Sequence, residues 1–505
     1  MKVNASIYEF SESSTSYSNS DLWAKICFDL SSNYPDIYRF DKDSHFKVVL
    51  KNQMLLSPTK QLARFRVIRA SIRRMLGKPA LMDISVSNRF SSIESGYCDR
   101  VESLSKQYPS EAKWIRRAQR IGLSEHIQLI NIFLKDLDAT GWRFANAKLG
   151  VSKLSFANIH NGSEEFSFDE VSIPRLIKNP YRKIPANTIF VVGSSDPKKA
   201  KIVADRIRDR IPRLLGVSSN QIPTVVDYPR LSKGNVNLWV LDDNLNFLEH
   251  SEFRDRIRSA EQQGIKFKFC KYSNTSNVPA LTNIIYDMCL MAGLVPYVTV
   301  DEVPNICSVD AGHNSKQNLS RWVYVESLNN HSINKVKVFD TELAEHLPEN
   351  LVNEFWPKLE DTIYFRDGRF TQEKSRLKTM ALRDNVELIE CKKSPASIIW
   401  RSVGGENFIS NAGDCVVDPH GEILLQTIKQ NNNDYVRPIR LKSYGYDVIG
   451  AATIFFQHQT MPTFSIYNSP RLPGSLYYAD LISKLTKEGW PKVVGRGLGL
   501  SKIIP

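Results

Sequence analysis

The sequence lacks the features of several large classes of protein. Its seven cysteines form no Cys-x-x-Cys pair and have no regular spacing, which argues against a zinc site or a disulfide framework and favours a reducing compartment. Residues 1–10 have no basic start followed by an apolar run, so we expect no secretory signal. The most apolar long stretch, residues 281–300, is interrupted by Asp287, Gly293 and Pro296, so we expect no membrane span. We therefore predict a cytoplasmic protein without a membrane partner.

Two common nucleotide-binding motifs are also missing. In residues 186–300, predicted strands and helices alternate in the rhythm of a parallel, Rossmann-like sheet. The turn after its first strand, residues 192–197, contains neither Gly-x-Gly-x-x-Gly nor Gly-x-x-x-x-Gly-Lys-Ser/Thr, which disfavours an NAD enzyme or an ATPase. The predicted strands are 188–192, 224–226, 237–241 and 265–269, and the predicted helices are 197–210, 252–263 and 279–291.

Positive charge, by contrast, is in excess. Lysine and arginine number 67 against 54 aspartates and glutamates, a formal net charge of +13. Such a surplus favours a polyanionic partner, most simply nucleic acid. Hydrophobic residues make up 42% and charged residues 24% of the 505 residues, which is typical of globular proteins of roughly two to four domains.

The first 185 residues are predicted to form an α+β lobe with basic helices. A proline-rich basic stretch, residues 173–186, reads as the linker that ends it. Residues 60–74 and 113–120 carry cations around apolar stripes, which predicts two helices able to follow a phosphate backbone. A solvated basic face is the alternative interpretation of both. The candidate backbone-contacting residues are Arg66, Arg69, Arg73, Arg116 and Arg117.

Residues 301–505 predict three strands, a helix over 342–355 and a fourth strand, which is the opening of an RNase H-like fold. Asp310 lies in the first of these strands and Asp367 at the end of the fourth, while Asp480 lies in a late helix. Carboxylates that converge on one point can hold Mg²⁺ or Mn²⁺ for two-metal phosphodiester hydrolysis. Taken alone, each aspartate is more often a helix cap or a turn residue.

Three motifs carry a resemblance to a known family. Residues 363–369, Ile-Tyr-Phe-Arg-Asp-Gly-Arg, resemble the strand-plus-RDG motif of Argonaute PIWI domains. Residues 471–481 resemble the carboxyl-terminal helix with its P…YAD pattern, and residues 307–313 stand where the family has its first catalytic aspartate. Their order, together with the strand-like residues 438–441 between them, is similar to that of prokaryotic Argonautes.

The resemblance implies a fold and a set of domains. The fold class is α/β, with a Rossmann-like MID domain at residues 186–300 and an RNase H-like PIWI domain at 301–505. Residues 1–185 are too few in ordinary domain sizes for complete N-terminal and PAZ domains, so a PAZ domain is expected to be missing or reduced.

The resemblance also implies guided recognition and a catalytic site. A short guide DNA or RNA would direct the protein to complementary target DNA, and Mg²⁺ or Mn²⁺ held by Asp310, Asp367 and Asp480 would cleave it. The family's fourth ligand is a glutamate, for which Glu342 is the candidate and Glu345 the next. An acidic residue that stabilises a helix N-terminus is the alternative interpretation of Glu342.

The pocket for the guide departs from the family pattern. Where the family often places lysines that neutralise a 5′-phosphate, this chain has Asp287 and Met291. A guide with a 5′-hydroxyl, or a differently built pocket, becomes plausible. Lysines next to Tyr272 are equally consistent with the flanks of a buried strand. The candidate guide-binding residues are Arg256, Lys268, Lys271 and Tyr272.

Three functions remain open at this level. The first is a guided endonuclease that cuts foreign DNA from a plasmid or phage. The second is a catalytically silent, guide-loaded sensor that recruits an operon-encoded helicase, nuclease or toxic effector. The third is an unguided RNase H-like nuclease, which the preceding Rossmann-like region disfavours.

Overall fold

The chain forms two compact units. Residues 1–154 and 392–442 make up the first, and residues 155–391 and 443–505 the second. No helix among the residues described is long and apolar enough to cross a bilayer. The computed structural model describes residues 2–10, 18–40, 47–92, 96–98, 104–105, 107–215, 222–227, 234–243, 265–300, 304–314, 318–327, 333–344, 346–359, 361–370, 373–393, 395–428, 438–444, 447–460 and 472–484.

The first unit is built on an antiparallel seven-stranded sheet with helices packed against it. The strand order is β3-β4-β5-β6-β2-β8, and β7 pairs with β6. Apolar side chains of the sheet and two helices, among them Trp23, Ile68 and Phe133, form one buried cluster. The elements are β2 Ile7–Phe10, α1 Asn19–Asn33, β3 Tyr38–Phe40, β4 Lys47–Leu56, β5 Leu62–Arg73, β6 Ala80–Ser92, β7 Gly96–Cys98, α2 Ala112–Ala118, α3 Leu123–Ala139 and β8 Phe144–Asn146.

The basic segment 60–74 is a strand, so the prediction of a helix there is wrong. It forms β5, whose residues Leu62 to Arg73 pair without interruption with β6. Leu62 and Ile72 fit a helical stripe, but the β-branched side chains of Val67, Ile68 and Ile72 favour a strand, and pairing on both sides of β5 decides the outcome. The predicted helix at 113–120 is confirmed as α2.

Two further sets of strands belong to the first unit. One has the order β1-β22-β23 and the other the order β26-β25-β24-β9. Arg73 and Arg440 meet the carboxylate of Asp83 in the interior of this unit, and Asp418 and Glu422 also bind Arg73. The strands are β1 Lys2–Ala5, β9 Gly150–Lys153, β22 Ile399–Val403, β23 Glu406–Ile409, β24 Asp414–Val417, β25 Ile423–Leu425 and β26 Ile439–Ser443.

The second unit begins with small elements and then forms a parallel sheet. The sheet has the order β13-β12-β14-β15 with every pair parallel, as the alternating sequence pattern predicts. The predicted linker contains a short helix, α4, and the predicted helix 252–263 lies outside the described residues. The elements are β10 Asn158–His160, β11 Glu165–Ser167, α4 Ile173–Lys178, β12 Ile189–Ser194, α5 Pro197–Leu215, β13 Thr224–Asp227, β14 Val236–Leu241, β15 Lys266–Lys271, α6 Val278–Met291 and β16 Val298–Thr299, which pairs with β10.

The same unit contains a mixed sheet of RNase H-like topology. Its order is β19-β18-β17-β20-β21: the first three strands are antiparallel, whereas β20 is parallel to both β17 and β21. Of the helix predicted over 342–355, only Glu349–Phe355 is helical, because β19 extends to Glu342 and Pro348 precedes the helix. The elements are β17 Asn305–Asn314, β18 Leu319–Ser327, β19 Ile333–Glu342, α7 Glu349–Phe355, β20 Thr362–Asp367, α8 Lys374–Asp384, β21 Glu387–Lys392, α9 Val448–Gln457 and α10 Gly474–Lys484.

Candidate metal centre and guide-binding edge

The fold brings Asp310, Asp367 and Asp480 together. One carboxylate oxygen of each lies within 4.8 Å of those of the other two. Asp310 and Asp480 are buried, and Asp367 is half-buried. The sequence prediction that these aspartates share one site is therefore matched by their positions.

Strand register explains how two of them meet. Strands β17 and β20 are parallel, with Val309 paired to Arg366, so the next residues, Asp310 and Asp367, lie side by side. Side chains alternate between the two faces along each strand, and residues that lie side by side on adjacent strands point to the same face. Both carboxylates therefore point to the face of the sheet that helix α10 covers.

Helix α10 supplies the third carboxylate. Its apolar residues Leu476, Ala479 and Ile482 are buried. Near its first turn the hydroxyls of Ser475 and Ser308 are 2.7 Å apart and hydrogen-bonded. This packing on β17 sets Asp480 beside Asp310.

The donor set suits a hard divalent cation. Three carboxylates within 4.8 Å of one another repel when charged, and a divalent cation between them offsets that repulsion. Oxygen-only ligands are those that Mg²⁺ and Mn²⁺ take in proteins. The three aspartates could therefore hold a metal ion.

Glu342 does not join this group. It is the last residue of β19, opposite Leu319, whereas Asp310 pairs with Val323, which pairs with Val338. Glu342 and Asp310 are therefore two strand spacings apart across the sheet and four residues apart along the strands. These displacements separate their Cα atoms by roughly 16 Å. Glu342 also heads no helix, so that structural prediction is wrong, and Glu345 lies outside the described residues.

A buried ion pair supports the end of β20 from the other face of the sheet. The guanidinium of Arg366 pairs with the carboxylate of Glu373, and both side chains are buried. The Arg366 Cζ atom also lies 5.3 Å from the ring centroid of Trp322 and 5.6 Å from that of Phe370. These contacts hold the strand in the position that presents Asp367.

Three of the four predicted guide-binding residues lie in β15 or directly after it, and two of them, Lys271 and Tyr272, are at the carboxyl edge of the parallel sheet. Lys268 forms an ion pair with the buried carboxylate of Asp287 on α6. Lys271 is exposed, and its Nζ donates to the main-chain oxygen of Asp243 at 3.1 Å. Tyr272 is half-buried beside it. Of the four predicted residues, Arg256 lies outside the part of the chain that the structure describes.

Two cations that the sequence analysis does not single out face Tyr272. Lys199 Nζ lies 5.6 Å and Arg206 Cζ 5.4 Å from the ring centroid. Both are on α5, seven residues apart, a spacing of about two helical turns that could have indicated a shared face. Lys199 also pairs with Asp242, which follows β14 at this edge, whereas the Lys268–Asp287 pair lies three residues before the end of β15.

The arginines of the first unit differ in their surroundings. Arg66 binds the Glu125 carboxylate through two nitrogens, at 2.7 and 2.8 Å, and Arg73 lies in the buried ion-pair cluster. Both guanidinium groups are buried, which corrects the prediction that they contact a nucleic-acid backbone. Arg69 is half-buried, whereas Arg116 and Arg117 are exposed on α2, and a backbone contact by these three stays a prediction.

Comparisons with known proteins show which fold this architecture represents. No protein-family model matches the sequence, and no curated protein matches it. Clostridium butyricum Argonaute, bound to a guide DNA and a 19-mer target DNA, superposes with a TM-score of 0.72 at 12% identity, over 95% of this chain and 88% of that one. The chain has the Argonaute fold. Marinitoga piezophila Argonaute with a 5′ OH guide RNA and target DNA gives a TM-score of 0.65 at 11% identity, over 93% and 85% of the two chains. Drosophila Piwi gives 0.65 at 10%, over 94% and 84%.

The Argonaute fold confirms the predicted fold class. The Rossmann-like parallel sheet and the RNase H-like mixed sheet are both present, after an α+β segment rich in antiparallel strands. At identities of 10–12% the likeness concerns the fold.

Proposed function

We propose that this Argonaute-fold protein uses a short guide DNA or RNA to recognise complementary target DNA and cleaves it with Mg²⁺ or Mn²⁺. The convergence of Asp310, Asp367 and Asp480 within 4.8 Å carries the proposal. The net charge of +13 supports a nucleic-acid partner. Defence of a cell against plasmids or phages is the role that we infer for such cleavage.

The three aspartates would act as metal ligands. Two divalent cations would activate a water molecule and stabilise the leaving oxygen of the phosphodiester. Asp310 and Asp480 are buried and contribute preorganised carboxylates, whereas Asp367 is half-buried. That exposure leaves a side from which a phosphodiester approaches.

The test combines guide analysis with cleavage. The protein is purified from its host, its bound nucleic acid is extracted and sequenced, and the same preparation is incubated with complementary DNA and Mg²⁺ or Mn²⁺. Short bound guides together with cleavage of matched DNA only are expected. Cleavage without bound guides would favour an unguided RNase H-like nuclease, and absence of both would contradict the proposal.

One observation favours a second candidate, a guide-loaded sensor without cleavage. The structure brings three of the four predicted acids together, while Glu342 lies roughly 16 Å from Asp310. In that case the protein would deliver an operon-encoded helicase, nuclease or toxic effector to the invader. Bound guides, no cleavage and a stably co-purifying partner would support the sensor, whereas robust cleavage by the isolated chain would contradict it.

For the guide itself, we infer a 5′-hydroxyl end bound near Tyr272 and Lys271. Ligands of open parallel sheets bind at the carboxyl ends of the strands, where Tyr272 lies. Lys199 at this edge is already paired with the carboxylate of Asp242. A dianionic phosphate would therefore compete with Asp242 for Lys199, whereas a hydroxyl would not.

Replacing Asp242 with asparagine should improve binding of a 5′-phosphorylated guide by about tenfold relative to a 5′-hydroxyl guide. The substitution removes the negative charge that pairs with Lys199 and lets the Lys199 ammonium pair with the phosphate. Fluorescence anisotropy with the two guides measures the ratio of their dissociation constants. Asp209→Asn, on the exposed face of α5, is the control. A wild-type preference for 5′-phosphate that Asp242→Asn leaves unchanged would contradict the inference.

A further inference from the structure

A buried serine lies next to the aspartate cluster. Ser483 is buried near the end of α10, and its Oγ donates to Asp310 Oδ2 at 2.7 Å. The same Oγ lies 3.1 Å from the main-chain oxygen of Asp480. A hydroxyl has one proton, and the shorter, charge-assisted bond to the carboxylate is the stronger of the two.

We propose that Ser483 is a positioning residue that orients the Asp310 carboxylate for metal binding. The proposal rests on the proposed metal site. A hydrogen bond to one carboxylate oxygen sets the plane of the group and thereby the direction of its other oxygen. Helix α10 then supplies one ligand, Asp480, and the group that orients another.

The helix spacing makes this arrangement possible. Residues three apart on a helix share a face, so Ser483 and Asp480 both point toward β17. At the other end of α10, Ser475 bonds Ser308, which lies two residues before Asp310 on the same face of β17. The helix is thus attached to the strand at two polar points within an apolar contact.

The two serine contacts differ in what they touch. Ser475 bonds another hydroxyl, whereas Ser483 bonds a carboxylate of the cluster. Both serines are 1% exposed, so replacing either with alanine removes a buried hydroxyl from the same helix. Ser475→Ala is therefore the matched control for a merely structural effect of Ser483→Ala.

Manganese binding by the purified full chain tests the proposal without relying on cleavage. The electron paramagnetic resonance signal of free Mn²⁺ reports the dissociation constant, and thermal unfolding reports folding. Ser483→Ala should raise the dissociation constant at least about tenfold over wild type. Ser475→Ala should change it less than about threefold, and Ser483→Thr, which keeps the hydroxyl, should restore binding to the same range.

The outcomes separate the two proposals. An alanine variant that binds Mn²⁺ like the wild type, or no more weakly than Ser475→Ala, would overturn the positioning role, and so would a threonine variant as weak as the alanine variant. A wild-type chain that binds no Mn²⁺ would overturn the metal site itself. If the chain binds Mn²⁺ tightly but carries no bound guide when purified from its host, guided recognition is contradicted and the role of Ser483 stands.

Discussion

Replacing Asp367 with alanine should reduce metal-dependent cleavage of the matched target by about a thousandfold or more, which corresponds to about 4 kcal/mol of transition-state stabilisation. The carboxylate lies within 4.8 Å of those of Asp310 and Asp480, and removing it leaves two of the three clustered carboxylates. Because Asp367 is the half-buried end of a strand, its loss should affect the metal more than the fold.

The measurement is single-turnover cleavage of a labelled target by guide-loaded protein, with Mn²⁺ varied. Guide retention is followed in parallel, since the Tyr272 edge lies on a different sheet of the unit. Asp138→Ala, which removes an exposed carboxylate from α3, is the control and should cleave like the wild type. Undiminished cutting by Asp367→Ala would refute the assignment of the site.

Glu342→Gln is the informative companion variant. With Glu342 roughly 16 Å from Asp310, its substitution should leave Mn²⁺ binding unchanged. A loss of cleavage comparable to that of Asp367→Ala would instead assign Glu342 as the fourth ligand and require β19 and the residues after it to move on binding. The pair of results thereby decides whether Glu342 is a ligand of the metal site.

Replacing Asp83 with asparagine should destabilise the first unit by about 3–5 kcal/mol. The carboxylate is 1% exposed and bidentate to two arginines: Arg73 at 2.7 and 3.0 Å, and Arg440 at 2.7 and 2.8 Å. A neutral amide of the same shape leaves these buried guanidinium groups with too little negative charge. The midpoint of chemical unfolding measures the loss, and Glu406→Gln, exposed in the same unit, should have little effect.

Acid unfolding gives an independent check of the same cluster. Burial alone would raise the pKa of the Asp83 carboxyl, but Arg440 and Arg73 outweigh it and hold that pKa well below its usual range. Burial alone would also raise the pKa of the Glu422 carboxyl, but Arg73 and Arg440 outweigh it and lower that pKa. A carboxyl group whose pKa is lower in the folded than in the unfolded state stabilises the folded protein at pH values above its unfolded pKa of about 4. This stabilisation is lost as the pH falls toward the folded pKa. The unfolding temperature should therefore drop below about pH 4, and less steeply in Asp83→Asn. Equal slopes would contradict the assigned role of Asp83.

The strands and the helix that carry the three aspartates could be predicted from sequence alone. Asp310 within a strand, Asp367 at a strand end and Asp480 in a late helix lie in the predicted elements, because strand alternation and helix spacing are local properties. The parallel sheet of residues 189–271 follows from its alternation of strands and helices in the same way. Such features depend on residues that are near one another in the chain.

The errors arise where distant residues decide. Segment 60–74 has a stripe that suits a helix, but pairing with β4 and β6 makes it a strand. Arg66 and Arg73 look like solvated cations in the sequence, yet Glu125 and Asp83 bury them in ion pairs. Glu342 was expected at a helix start and instead ends a strand that its pairing with β18 extends.

Sequence by itself therefore determined the order of the elements of the parallel sheet, the excess of positive charge and the identity of three converging aspartates. Tertiary structure alone decided which of the cations are neutralised, how far Glu342 lies from the cluster, and that Ser483 holds Asp310. The reason is that a charge or a hydroxyl acquires its role from the group opposite it. That group is often more than a hundred residues away, as Asp310 is from Ser483, and only packing brings the two together.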